Sequence, residues 1–223
     1  MGVRIRNHVN PFRTALLGLT PARLELADRP LEVELGCADA QFLFQLAAAD
    51  PETNYVGVEL RKRLVVDVNR RAKLDGLDRL RAVHAHINVD LPALFNRESV
   101  RRFYVNFPDP WFKRTQHKRR ALTPEVGEQL IALLEPGGEL FFQSDVFDLA
   151  LDAMAVLESL PALRNVAGEW SFLRRNPYPA QSLREDRVSA HGLPIWRILY
   201  RRDGLPLERP LPVHPGAAHV CIG

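Results

Sequence analysis

From residue 31 onward, short apolar runs alternate with longer segments whose apolar residues recur at helical spacing. Residues 31–36 and 55–60 are typical of buried strands, and residues 41–49 and 61–73 are typical of helices. Further strands are predicted at residues 80–85, 103–107, 140–143 and 195–200. This alternation is typical of the α/β class, in which a mostly parallel sheet carries helices on both faces.

Two connecting stretches are predicted to lack regular structure. Residues 134–138 (Leu-Glu-Pro-Gly-Gly) indicate a turn that precedes the fifth strand. Residues 174–194 contain Pro177, Pro179 and Pro194 and are predicted to be irregular throughout.

Composition excludes several classes of protein. The chain has 223 residues, of which 46% are hydrophobic, enough for one core of ordinary size. No apolar run reaches the roughly 20 residues that span a bilayer, and the first ten residues lack the apolar stretch of a secretory signal. Cys37 and Cys221 are far apart in sequence, which favours reduced thiols and a cytoplasmic protein. We therefore expect no membrane association.

Acidic side chains follow the predicted strands at the points where these end. Glu34 and Gly36 end the first strand, Glu59 ends the second, Asp109 follows the fourth and Asp145 follows the fifth. In open α/β sheets, ligands bind at the carboxyl ends of the strands, and an acid after the second strand accepts hydrogen bonds from ribose hydroxyls. The pattern predicts a crevice for a ligand that contains adenosine.

The loop after the first strand argues against a dinucleotide in that crevice. It reads Gly-Cys-Ala-Asp-Ala-Gln over residues 36–41, with one glycine where the dinucleotide fingerprint has three. A pyrophosphate needs close approach to the backbone, which Ala38 and Ala40 hinder. A nicotinamide-dependent oxidoreductase is therefore a weaker alternative, and a cofactor without phosphates fits better.

The most specific stretch is Asn-Phe-Pro-Asp-Pro-Trp at residues 106–111. Its two prolines stiffen the backbone around Asp109, and its polar and aromatic side chains suit a planar base. Residues 113–120 follow with five lysines and arginines, a density that predicts contacts with RNA phosphates. The basic segment leads into a helix with Thr123 as its predicted N-cap and Pro124 at its first position.

These residues together resemble the bacterial tRNA (guanine-N7-)-methyltransferases over roughly residues 31–201. The resemblance rests on residues 33–36, 56–59, 106–111, 113 with 117–120, 136–138, 144–145 and, near the end, Ser-Leu-Arg-Glu at 182–185. It implies a Rossmann-like class I methyltransferase fold with a mostly parallel seven-stranded sheet. It also implies S-adenosylmethionine as methyl donor and guanine 46 of the tRNA variable loop as acceptor.

The resemblance also implies roles for individual residues. Asp109 would be the catalytic residue and would contact the donor together with Glu34 and Glu59. Gly36, His86 and Asn88 are added as candidate donor contacts from their places at the strand ends. The predicted substrate contacts are Lys113, Asp145, Ser182, Leu183, Arg184 and Glu185.

This chain departs from the family pattern at three places. Ala38 stands where the family usually has a second glycine. The acid expected after the third strand is replaced near His86 or Asn88, with Asp90 slightly later in the chain. In the segment 182–185, called the late motif below, Ser182 stands where the family has threonine. Serine keeps the hydroxyl, so this third departure is mild. Ala38 and His86 motivate an alternative, a divergent tRNA-binding relative with weak or lost cofactor binding.

The remaining expectations concern organisation and isolated residues. Residues 1–30 are predicted to form a basic arm, residues 31–202 the methyltransferase domain and residues 203–223 a proline-rich tail. The protein is expected to be a monomer or a homodimer without a metal, since His84 and His86 lack partner ligands at metal-binding spacing. Trp170 and Trp196 are predicted to lie in the core. A methyltransferase for small molecules is a further alternative, although it would not need the basic segment.

Overall fold

The computed structural model describes residues 24, 26–112, 115 and 120–204, and within these ranges the chain forms seven strands and six helices. The strands are β1 (Leu31–Leu35), β2 (Asn54–Glu59), β3 (Leu80–His84), β4 (Val100–Asn106), β5 (Leu134–Ser144), β6 (Leu163–Asn165) and β7 (Trp196–Arg202). The helices are α1 (Gln41–Ala49), α2 (Lys62–Leu74), α3 (Ile87–Leu94), α4 (Pro124–Leu133), α5 (Phe147–Glu158) and α6 (Leu183–Ala190).

All seven strands belong to one sheet with the order β3-β2-β1-β4-β5-β7-β6. The pairs among β1 to β5 are parallel, whereas β7 runs antiparallel to both β5 and β6. The order reverses at β1 and β4, and the loops after these two strands therefore face one crevice at the carboxyl edge of the sheet. The predicted fold class is confirmed.

The central strands are buried on both faces because each carries apolar residues at successive positions. Phe103 and Val105 of β4 pack into the larger core cluster with α3, α4 and α5. Tyr104, between them, points to the opposite face and packs with Phe42 of α1 in the second cluster. This two-residue alternation places helices on both faces of the sheet.

The structure also corrects four expectations. Helix α6 lies inside residues 174–194, where the prolines predict irregular structure. The predicted turn at residues 134–138 lies inside β5, where the register with β4 shifts between Val100 and Arg102. The short strand β6 has no counterpart among the predicted strands. Trp170 is 60% exposed in the loop after β6, so its predicted core position is wrong, whereas Trp196 packs against the larger cluster.

The N-terminal cap of α4 is confirmed. The Thr123 hydroxyl accepts a hydrogen bond from the Val126 amide at 3.3 Å, and Pro124 occupies the first turn. No helix in the described ranges has both the length and the apolar character to span a membrane.

Candidate functional site

A cavity of about 510 Å³ opens at the carboxyl ends of β1, β2 and β4. Its size is that of a typical small-molecule or cofactor site. The predicted site residues that line it are Glu34, Gly36, Glu59, His86, Asn88, Asp109, Ser182, Leu183 and Arg184. Residues from distant parts of the sequence therefore meet at one surface.

Glu34 is a buried acid of this cavity with a strongly shifted pKa. It is 3% exposed, and its Oε1 accepts a hydrogen bond from Asn106 Nδ2 at 2.8 Å. Its Oε2 is buried without a hydrogen-bond partner within the described part of the chain. Burial, followed by the charges of Asp39 and Glu59, raises the pKa of Glu34 to about 8, against the lowering effect of Asn106. A buried carboxylate oxygen that lines a cavity and lacks a partner is suited to accept a hydrogen bond from a ligand.

Glu59 holds two walls of the cavity together. Its Oε2 accepts a hydrogen bond from the Ala38 amide at 3.0 Å, which fastens the loop after β1. Both of its oxygens also accept from the Arg61 guanidinium, at 2.9 Å and 3.0 Å. This pairing with Glu59 raises the pKa of Arg61, and the charge of Asp109 acts in the same direction. Arg61 also lines the cavity, a position that sequence reasoning missed.

The loop after β1 turns tightly although it has one glycine. Ala38 and Ala40 both adopt the left-handed conformation, with φ of 50° and 55°, and Ala40 is the N-cap of α1. The loop packs closely on β2, since a Cβ added at Gly57 would lie 2.4 Å from Cys37 Sγ. Cys37 is buried, and burial raises the pKa of its thiol. Cys37 is thus a small buried side chain beside the cavity.

The wall after β3 consists of His86 and Asn88. His86 is the N-cap of α3, and its Nδ1 accepts a hydrogen bond from the Asn88 amide at 3.2 Å. The nearby Asp90 carboxylate accepts from the backbone N–H of His86 at 2.7 Å and is buried outside the cavity lining. Asp90 therefore stabilises the start of α3 and does not replace the missing acid of the family. Burial lowers the pKa of His86, which favours a neutral ring.

The Asn-Phe-Pro-Asp-Pro-Trp segment forms a strained corner that carries Asp109. Phe107 and Trp111, on either side of Asp109, have φ of 49° and 42°. This left-handed conformation is unfavourable for residues other than glycine, at a cost of about 1 kcal/mol each. Arg120 fixes this corner from behind, because its Nε donates to the Pro110 carbonyl at 3.0 Å and its guanidinium pairs with Asp152. Strain of this kind persists where the surrounding structure imposes it, and it concentrates at functional sites.

Arg120 thus behaves differently from the prediction made for the basic segment. It is 9% exposed and points into the protein, so it does not belong with the predicted phosphate contacts. The other four lysines and arginines of residues 113–120, including the predicted substrate contact Lys113, lie outside the described residues.

The late motif contributes three residues to the cavity and one to its support. Ser182 is the N-cap of α6, with its hydroxyl accepting from the Glu185 amide at 3.2 Å. Ser182, Leu183 and Arg184 line the cavity, whereas Glu185 is completely buried behind it. Asp145 does not line the cavity either; it pairs with the Arg184 guanidinium and so orients a residue that does.

A signal for α6 is present in the sequence. Ser-Leu-Arg-Glu at residues 182–185 has the Ser-x-x-Glu pattern of a helix capping box, which predicts a helix start at Ser182. By contrast, no local pattern identifies Arg61 as part of the cavity. Among the described residues, no group of three or more His, Cys, Asp or Glu side chains could hold a metal ion.

Comparisons with known proteins agree on one family. Residues 28–198 match the family model "Methyltransf_4: Putative methyltransferase". The chain is 36% identical over 207 residues to a tRNA (guanine-N(7)-)-methyltransferase of Thermosynechococcus vestitus, covering 91% of this chain and 96% of that protein. It is 35% identical over 222 residues to a tRNA (guanine-N(7)-)-methyltransferase of Parasynechococcus marenigrum, covering 92% and 91%.

A solved structure shows the same fold at low sequence identity. A SAM dependent methyltransferase from Aquifex aeolicus superposes with a TM-score of 0.55 at 12% identity, covering 87% of this chain and 100% of that one. The arrangement of strands and crevice is therefore that of the Rossmann-like methyltransferases.

Proposed function

The chain belongs to the tRNA (guanine-N(7)-)-methyltransferase family, and we propose on that premise that guanine 46 of the tRNA variable loop is its target. The reaction of the family is transfer of a methyl group from S-adenosylmethionine to N7 of a guanine in tRNA, and it is the reaction of this chain.

The residues of the cavity fit the methyl donor. When bound, the donor supplies an electrophilic methyl group on a positively charged sulfur. Glu34 offers a buried carboxylate oxygen without a partner among the described residues, which suits a ligand that carries an ammonium group and hydroxyls. Glu59 stands at the end of β2, where an acid accepts from ribose hydroxyls. Both acids, together with Gly36, His86 and Asn88, are therefore proposed to hold the donor.

The observation that carries the assignment of a catalytic residue is the position of Asp109. It lines the same cavity as Glu34 and Glu59, on a corner that two left-handed residues and Arg120 hold in place. N7 of guanine carries a lone pair and no proton, so no general base is needed. The methylated base is cationic, and a fixed carboxylate beside the purine stabilises the charge that develops on it. Asp109 would also select guanine by accepting from its N1–H and amino group.

Substitution of Asp109 by asparagine tests this role, because it removes the charge and keeps the shape. We expect a fall in turnover of about 100-fold to 1000-fold, the usual effect of deleting one electrostatic contact to a transition state. The measurement is transfer of labelled methyl to unmodified tRNA, followed by mapping of the methylated nucleotide. Asp148→Asn is the matched control, since Asp148 lies exposed in the first turn of α5, outside the cavity lining.

Two outcomes of that experiment would contradict the proposal. Turnover of Asp109→Asn within a factor of a few of the parent protein would remove Asp109 from the mechanism. Methylation at a guanine other than 46 would correct the target and leave the reaction unchanged.

The basic segment is proposed to hold the tRNA backbone through Lys113. Ser182, Leu183 and Arg184 are proposed to form the substrate side of the cavity, with Asp145 orienting Arg184. Replacement of Lys113 and Arg119 by alanine should weaken tRNA binding and flatten its dependence on salt. The magnitude of the negative slope of log affinity against log salt should decrease by about 0.7–0.9 for each phosphate that the protein no longer neutralises. Arg63→Ala is the control, because Arg63 is an exposed arginine of α2 outside the segment. An unchanged slope in the double variant would exclude these two residues as phosphate contacts.

The organisation of the protein follows from the same proposal. We propose that the protein is cytoplasmic, in keeping with its tRNA substrate. The sheet begins at Leu31 and ends at Arg202, and we propose residues 31–202 as the methyltransferase domain.

A further inference from the structure

Glu185 differs from the other residues of the late motif in what it contacts. It is 0% exposed, and both of its oxygens accept hydrogen bonds from buried or half-buried side chains. The donors are Gln143 Nε2 at 2.8 Å, Arg197 Nη2 at 2.9 Å and Asn176 Nδ2 at 3.2 Å to each oxygen. Because Glu185 is fully buried outside the cavity lining, neither of its oxygens is accessible to an RNA group.

The hydrogen bonds continue from Glu185 to the donor side of the cavity. Gln143 Nε2 also donates to Asn106 Oδ1 at 2.9 Å, and Asn106 Nδ2 donates to Glu34 Oε1 at 2.8 Å. Gln143, on β5, is completely buried, and its Oε1 accepts from Arg197 Nε at 3.1 Å. An unbroken chain of four side chains therefore joins α6 to β1 across β5 and β4.

The direction of each hydrogen bond in this chain is set at Glu185. A carboxylate can only accept, and the Arg197 guanidinium can only donate, so Gln143 must present its nitrogen to Glu185 and its oxygen to Arg197. Gln143 then presents its second N–H to Asn106, which must offer its oxygen there and its nitrogen to Glu34. With Asn106 turned the other way, an amide oxygen would face Glu34 and repel its ionised carboxylate.

We propose that Glu185 is a positioning residue of the donor site, which fixes the orientation of Glu34 through Gln143 and Asn106 and makes no direct contact with tRNA. This inference rests on the proposed function, because Glu34 binds the donor only there. It replaces the substrate role that the family resemblance implied for Glu185. It also assigns a positioning function to Gln143, which sequence reasoning did not single out.

Glu185→Gln tests the proposal with little change of shape. Its amide nitrogen would face either Gln143 or Arg197, both hydrogen-bond donors. Facing Gln143, it removes the acceptor that orients this side chain; facing Arg197, it displaces the guanidinium that donates to Gln143 Oε1. We expect the affinity for S-adenosylhomocysteine, measured by calorimetric titration, to fall about tenfold. Binding of unmodified tRNA without the cofactor should stay within about twofold, because no RNA contact is removed. The opposite result, weaker tRNA binding with unchanged cofactor affinity, would overturn the proposal in favour of direct contact.

The dependence of cofactor affinity on pH separates positioning from loss of fold. The Asn106 hydrogen bond lowers the pKa of Glu34, whereas burial and the charges of Asp39 and Glu59 raise it. Ionised Glu34 favours a ligand that carries an ammonium group, so affinity should rise as pH increases through about 8. In Glu185→Gln the midpoint should move to higher pH. A midpoint that stays in place while affinity falls would indicate a general structural effect and would overturn the proposal.

A second variant covers the case in which Glu185→Gln does not fold. Gln143→Met removes the link and leaves Glu185 paired with Arg197 and Asn176. It should lose cofactor affinity to the same degree, and an unchanged affinity would overturn the proposal.

A double-mutant comparison tests the route. In an Asn106→Ala background, Glu185→Gln should cause no further loss, whereas independent additive losses would contradict a path through Asn106. A parent protein that binds no S-adenosylhomocysteine would instead contradict the proposed function itself.

Discussion

Glu32 and Glu34 lie two residues apart on β1, and both side chains point to the same face of the sheet. Both are almost completely buried, at 1% and 3% exposure. Glu32 accepts hydrogen bonds from Arg101, Arg102 and the Tyr104 hydroxyl, at distances between 2.6 Å and 3.0 Å. Its charge is therefore compensated on every side.

Glu34 has one hydrogen bond, from the neutral amide of Asn106, and leaves one oxygen without a partner in the described part of the chain. Burial raises its pKa to about 8. A buried charge is tolerated when it is paired. A buried acid without a partner is protonated, or its charge is compensated when a ligand binds. The difference supports separate tasks for the two glutamates: Glu32 holds neighbouring strands together, and Glu34 is proposed to bind the methyl donor.

The largest effect is expected from loss of the Glu32 carboxylate. Glu32→Gln leaves Arg101 and Arg102 facing each other without the carboxylate, which should lower the free energy of unfolding by about 3 kcal/mol. Urea unfolding at neutral pH measures it, with the exposed Glu52→Gln as control. A loss below about 1 kcal/mol would show that Asp50, Glu139 and solvent compensate the charges of the two arginines without Glu32.

The contrast between the two glutamates also shows where sequence reasoning reaches its limit. The apolar runs identify β1 and its neighbours, because a strand buried on both faces has few other residue patterns. The position of Glu34 at a strand end identifies it as a candidate for binding. The partners of each glutamate could not be predicted, because Arg101 and Asn106 are about 70 residues away and only the register of β1 against β4 brings them close.

The late part of the chain is harder to predict for a different reason. Its prolines indicate an irregular segment, and the capping box at Ser182 is the one local signal for α6. The surroundings of Glu185 on α6 depend on Gln143 of β5 and Arg197 of β7. Its chemistry as an acid is readable from the sequence, but its surroundings are not.

A smaller effect is expected from Glu34→Gln, and it should have the opposite sign in the absence of ligand. An unfolded chain releases this proton near the usual pKa of 4.5, whereas the folded protein retains it up to a pKa of about 8. Rising pH between these values therefore favours the unfolded state of the parent protein, and glutamine removes this cost. We expect the variant to be more stable than the parent by about 2 kcal/mol at pH 6 and nearly equal to it near pH 4.5.

Thermal and urea unfolding across this pH range measure the difference, with Glu32→Gln as the comparison. Glu32→Gln should be less stable than the parent at both ends of the range. The Glu34 variant should at the same time bind S-adenosylhomocysteine more weakly. Parallel stability profiles for parent and Glu34→Gln would mean that Glu34 is ionised in the folded protein at all these pH values.

The smallest effect is expected for a substitution in the loop after β1. Ala38 has a φ of 50° and lines the cavity. In Ala38→Gly, relief of the left-handed strain should gain about 1 kcal/mol, and the greater freedom of the unfolded chain should offset about half of it. We therefore expect a net gain of about 0.5 kcal/mol in the free energy of unfolding, together with a gain of a few-fold in cofactor affinity, because a methyl group leaves the cavity wall.

Ala40→Gly separates these two contributions. Ala40 shares the left-handed conformation, with a φ of 55°, but its methyl group is completely buried and lies outside the cavity lining. Loss of that buried methyl costs about 0.8 kcal/mol and should cancel the relief of strain, so stability and cofactor affinity should both stay nearly unchanged. If both glycine variants tightened cofactor binding equally, the effect would come from a more flexible loop. If neither did, the alanine at position 38 would be no obstacle to the donor, and Glu34 alone would set the affinity on this side of the cavity.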